Sequence, residues 1–140
     1  VNVWDQLRKD EGFRPYPYIC TGGALTIGYG RNIDRDKGGP GLAEVEADFM
    51  LRNDVAACEI DLKAIFPKWD AFDMVRKGAL INMRFQLGAG GFRGFQNMIK
   101  AINYGAWQMA ANHALDSRWA LQTPNRAMRV AEELRTGVAW

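Results

Sequence analysis

The sequence predicts an α+β protein, mostly α, and three observations carry that prediction. Residues 13–33 mix aromatics, prolines and glycines, and "ALTIGYG" alternates as a strand does. Leu42, Val45, Phe49, Val55, Ala56 and Leu62 then keep near-helical spacing, with no glycine or proline from Leu42 to Phe66. Helical periodicity continues to the end, broken only by short stops. At 140 residues the chain has the size of one domain. It reads as a β-containing lobe over about 12–40, an interlobe helix over about 41–62 and an α lobe over about 63–140. The α lobe also takes the first helix, 3–11.

In order along the chain, residues 3–11 form a short helix with Val3, Leu7 and Trp4 toward one face, stopped at Gly12. A small antiparallel sheet follows, with a turn at Gly22-Gly23. "DRDKGGPG" (34–41) is a loop by its charge, glycine and proline. The long helix ends before Pro67, because the residue before a proline is pushed out of the helical region. Later stops fall at "GAGG" (88–91), Gly105 and "TPN" (123–125). In "TPNRAMRVAEEL", Thr123 reads as an N-cap and Pro124 as the first helical residue.

Composition excludes several classes. Hydrophobic residues make up 48% and charged residues 24%, which is neither disordered nor fibrous. A net charge of +2, without a basic cluster of more than two or three residues, argues against a nucleic-acid partner. No apolar run reaches the length of a membrane helix, and residues 1–12 lack the apolar core of a signal peptide. Two cysteines, Cys20 and Cys58, and one histidine, His113, make no metal spacing. A Cys20–Cys58 disulfide is expected to be absent in a reducing compartment. No metal or organic cofactor is expected, and a monomer is.

The candidate chemistry gathers in "EGFRPYPYICTGGALTIGYG" (11–30), where Cys20 follows Glu11 by nine positions and Thr26 follows Cys20 by six. Glu11 ends a helix, where the carbonyl dipoles disfavour a negative charge. It is either a general acid placed against the local rule or a solvated helix-end residue. Cys20 is a small buried hydrophobe or a reactive thiol, although its segment is too polar and glycine-rich to resemble core. Thr26 is an ordinary strand threonine or part of a site. Gly28 and Gly30 either admit a close backbone approach or mark sheet bends. In "NMRFQLGAGGF", Asn82, Phe85 and Gln86 suit sugar binding or helix capping and core. Trp119 reads as core. Arg126, one turn into its helix, stands against the dipole, which suggests a carboxylate partner.

The strings "LRKDEGFRPYPYICTGGALTIGYGRNI", "ALINMRFQLG", "SRWALQTPNRAMRV" and "LRTG" resemble, in the same order, the T-even phage lysozymes of glycoside hydrolase family 24. The resemblance runs from the first helix to Gly137 and implies a lysozyme-like two-lobed fold. It also implies a muramidase or endolysin that cleaves the β-1,4 bond between N-acetylmuramic acid and N-acetylglucosamine in bacterial peptidoglycan, with inversion. By that resemblance Glu11 is the general acid. Cys20 takes the second catalytic position, usually aspartate, and Thr26 helps to position the attacking water. Arg126 is implied as electrostatic partner of Glu11, and Asn32, Phe85, Gln86 and His113 as substrate contacts. The resemblance further implies residence in host bacterial cytoplasm until release to the periplasmic wall.

Three departures from that pattern stand out. A thiol at Cys20 with its ordinary pKa would be only a few per cent thiolate at pH 7, so activity is expected to rise toward alkaline pH and to be lost on alkylation. The loop 34–41 is shorter than in the T-even type, and Arg31 replaces a more usual histidine. The rival reading is a glycan-binding module of the same fold that holds sugar without cutting it, because Cys20 cannot replace a carboxylate.

Overall fold

The computed structural model describes residues 2–140. It has seven α-helices and one three-stranded sheet among the described residues, in two compact units that divide between Met50 and Leu51.

In the first unit, α1 (Val3–Glu11) has the bounds that the sequence predicts. The Asn2 side-chain carbonyl accepts from the Asp5 amide at 2.9 Å, which satisfies one of the orphan donors of the first turn. At the other end Gly12 adopts φ +69° and donates its amide to the Arg8 carbonyl at 3.0 Å. Helix α1, assigned from the sequence to the helical lobe, groups here with the sheet.

The strands β1 (Arg14–Ile19), β2 (Leu25–Gly28) and β3 (Arg31–Asn32) pair antiparallel in that order. Tyr18 faces Thr26, Ile19 faces Leu25, and Thr26 also faces Asn32 on the far side. Register shifts between Arg14 and Tyr18, the stretch that holds Pro15 and Pro17, which lack amide donors and fit only an edge strand or a bulge. The first hairpin closes where the Gly23 amide donates to the Cys20 carbonyl at 2.9 Å, so Thr21 and Gly22 are the central turn residues, one position earlier than expected. The expected loop 34–41 contains a single 3-10 turn, Arg35–Lys37.

Helix α2 (Glu44–Ile65) is the long uninterrupted helix of the sequence reading, displaced about three residues later at each end. Glu46 in its first turn accepts from the Ala43 amide at 3.1 Å and from Arg31 Nη1 at 2.9 Å, and Arg31 Nη1 also donates to the Gly41 carbonyl. Arg31 therefore fastens β3 to the start of α2, a consequence that its sequence position alone does not reveal.

The second unit holds α3 (Met74–Arg93), α4 (Gln96–Asn103), α5 (Trp107–Leu115), α6 (Arg118–Gln122) and α7 (Pro124–Thr136). Its core is continuous and includes Leu62, Phe66, Leu80, Met83, Phe92, Ile102, Trp119 and Leu134. Phe66 and Phe92 meet edge to face at 6.2 Å with no exposed surface. The stop expected at "GAGG" is present: Gly88, at φ +75° and ψ 170°, breaks the helical path of α3, and a second helical stretch follows as far as Arg93. One expectation needs correction here. Thr123 occupies the N-cap position of α7, but its hydroxyl donates back to the Trp119 carbonyl at 3.0 Å rather than capping the new helix. No helix among the described residues is long and apolar enough to cross a membrane.

Candidate active site

Cys20 leaves β1 just before the hairpin turn, and its amide donates to the Ala24 carbonyl at 3.0 Å. The turn folds back under the thiol, so that a Cβ on Gly22 would stand 3.7 Å from Sγ. The Ala24 amide leads in lowering the Cys20 pKa, followed by the Thr26 hydroxyl and the Gly22 amide; desolvation pushes it back up in part, and the Gly23 amide lowers it further. The donors of the turn and of Thr26 together favour the thiolate over the thiol. The expectation of an ordinary thiol pKa is thus corrected downward. The two glycines of "CTGGA" let the chain turn tightly beside the sulfur.

Thr26 is the buried polar residue of this unit, 3% exposed. Its hydroxyl donates to the Ala24 carbonyl at 2.9 Å, yet it also favours the thiolate of Cys20. One hydroxyl proton cannot serve both acceptors. The bond to the carbonyl suits a protonated thiol, and rotation toward sulfur suits the thiolate.

Glu11 is exposed at the last residue of α1. Its carboxylate lies against the backbone of Gly30, in the two-residue turn between β2 and β3. Asn32 is engaged in its own loop: Oδ1 accepts from the Asp34 amide at 2.8 Å, and Nδ2 donates to the Lys37 carbonyl at 3.2 Å.

In the second unit, Gln86 accepts from the Trp119 indole at 2.8 Å, which fixes its oxygen and leaves its NH2 as the outward-capable donor. Phe85 is 43% exposed and borders a cavity of about 240 Å³ with Cys58 and Arg84. His113 is half-buried and lines a larger cavity, about 520 Å³, with Phe95, Asp116, Arg118 and Trp119. Arg126 donates from Nε to Asn82 Oδ1 at 2.7 Å, so an amide rather than a carboxylate holds it within this unit. The cysteines Cys20 and Cys58 are both free thiols.

The sequence did not single out Asp61. It accepts from Arg84 Nε at 2.8 Å and from Arg93 Nη2. Burial pushes its pKa up, but the two guanidinium hydrogen bonds outweigh that and hold it below the usual carboxylate range.

A three-stranded hairpin unit carrying an acid, a thiol and a hydroxyl, followed by an all-helical unit, defines the lysozyme-like α+β class. The family model for phage lysozyme matches residues 8–132, and the chain belongs to that family, a family of glycoside hydrolases. It is 34% identical to the pre-baseplate central spike protein Gp5 of Enterobacteria phage T4, in an alignment covering 98% of this chain and 28% of that protein. This chain therefore spans little more than a quarter of that relative's length. Two Dictyostelium discoideum proteins, "Probable T4-type lysozyme 1" and "Probable T4-type lysozyme 2", are 28% and 30% identical. Those alignments cover 97% and 95% of this chain, and 95% and 93% of theirs.

Proposed function

We propose that this chain is a peptidoglycan muramidase, hydrolysing the β-1,4 bond between N-acetylmuramic acid and N-acetylglucosamine with inversion. The observation that carries the reading is the setting of Cys20 against its hairpin turn, where a Cβ on Gly22 would stand 3.7 Å from Sγ and where the donors of the turn and of Thr26 favour the thiolate. Family membership supports it. Glu11, protonated, gives its proton to the glycosidic oxygen as the bond to the leaving sugar breaks. The Cys20 thiolate takes a proton from a water held by Thr26, and the water oxygen bonds to the anomeric carbon from the opposite face. Asn32, Phe85, Gln86 and His113 are the proposed glycan contacts. The chain acts as a monomer on the bacterial wall after release from host cytoplasm.

The downward direction of the Cys20 shift supports hydrolysis over the rival reading of a binding module. The alignment with little more than a quarter of a spike protein favours a second setting, in which the same fold serves as the lysozyme segment of a longer protein.

Product analysis tests the reaction. Digestion of purified peptidoglycan is expected to leave N-acetylmuramic acid at the new reducing end, with the α anomer appearing first by NMR. A reducing N-acetylglucosamine would assign a different bond, a first-formed β anomer would refute inversion, and binding without product would establish the module.

A further inference from the structure

The geometry points to Gly30 as a positioning residue for Glu11, through the space left by its missing side chain. This rests on the reading of Glu11 as general acid. A Cβ on Gly30 would stand 2.6 Å from Glu11 Oε2 and 2.9 Å from Cδ. Ordinary contact begins near 3.4 Å, so the carboxylate would have to retreat by about 0.8 Å, the difference between 3.4 and 2.6 Å. The atoms struck are the free end of a flexible side chain, which can move aside without unfolding its helix. Hence the collision itself would displace the acid rather than the backbone of its helix.

A misplacement of that size is enough to matter. General acid catalysis requires the donor within hydrogen-bond reach of the leaving oxygen, and an error of about 1 Å can cost about 10²-fold in rate. Gly30 also has φ +71°, which alone favours glycine, so the two roles must be separated. Gly38 supplies the control. It has φ +72°, and a Cβ there would meet nothing within 4 Å. Gly30→Ala and Gly38→Ala therefore incur the same kind of backbone strain, but only the first collides with Glu11.

The experiment measures kcat, KM and Tm for wild type, Gly30→Ala, Gly38→Ala and Glu11→Gln, with soluble uncrosslinked peptidoglycan oligosaccharides as substrate. Gly30→Asn, whose side chain tolerates positive φ better, carries the same Cβ and replaces the alanine variant if that fails to fold. Gly30→Ala is expected to lower kcat by about 10²-fold with KM nearly unchanged. Gly38→Ala is expected to lose similar Tm and keep its kcat. A Gly30→Ala enzyme within a few-fold of wild-type kcat overturns the inference, and so does an equal kcat loss in Gly38→Ala. Activity in Glu11→Gln overturns the reading of Glu11 itself, and the positioning role with it, an outcome that the glycine variants alone do not produce.

Discussion

Replacing Asp61 by asparagine removes one charge from a largely desolvated cluster and keeps its shape. The Asp61 and Arg84 side chains retain only 16% and 15% of their exposure, whereas Arg93, the second partner, retains 52%. Water therefore screens the Arg93 pair, which contributes at most about 1 kcal/mol. The Arg84 pair is different. Without Asp61 its guanidinium is left mostly buried and uncompensated, and breaking such a pair costs about 3–5 kcal/mol. That is a large part of the roughly 5–15 kcal/mol that a domain possesses. Urea denaturation at pH 7 should show Asp61→Asn losing about 3 kcal/mol or more and Arg93→Ala losing about 1 kcal/mol or less. The pH dependence has a definite sign. The folded-state pKa of Asp61 is depressed, so its contribution is fully present above the ordinary carboxylate value of 3.8 and fades as pH falls through the lower folded value. The difference between wild type and variant should thus shrink below pH 3.8. Equal losses for Asp61→Asn and Arg93→Ala would refute the desolvation argument.

Three other outcomes follow from the same structure. Cys20 should react with iodoacetamide at lower pH than Cys58, because the Ala24 amide and its neighbours lower one thiol while burial raises the other. Loss of lytic activity should track Cys20 modification, and full activity after stoichiometric alkylation would exclude it from catalysis. Phe66→Ala should cost about 3–5 kcal/mol by thermal or urea unfolding, since Phe66 is fully enclosed against Phe92 and Phe72. The Arg31–Glu46 pair is over a third exposed at both ends, so Glu46→Gln should shift the urea midpoint only slightly, and less again in high salt.

Much of the fold was legible because local chemistry and tertiary packing agree. Helix α1 begins at an Asx cap and ends at a glycine, and both signals stand in the sequence. The long helix showed itself by the absence of breakers, and Trp119 by its size and apolar body. Gly88 was legible as a stop, and it breaks the helical path where the sequence places the break. The misreadings occur where a residue's role depends on a distant partner. Thr123 looked like a cap, and its hydroxyl found a carbonyl four residues back instead. Asp61 with Arg84, 23 residues apart, and Arg31 with Glu46, 15 apart, left no periodic signal. At the site the residue types were visible, with Glu11, Cys20 and Thr26 in one short segment. The lowering of the Cys20 pKa was not, because it depends on the backbone conformation of the turn.

The central claim is that Glu11 is the acid of a working muramidase, and cell-wall clearing tests it most directly. Chloroform-permeabilised Gram-negative cells would be treated with wild type and Glu11→Gln from pH 5 to 9, after circular dichroism has established equal folding. Wild type is expected to clear the suspension and Glu11→Gln to leave it turbid across the range. Clearing by Glu11→Gln at the wild-type rate, or binding by the wild type with no clearing at any pH, would contradict the account.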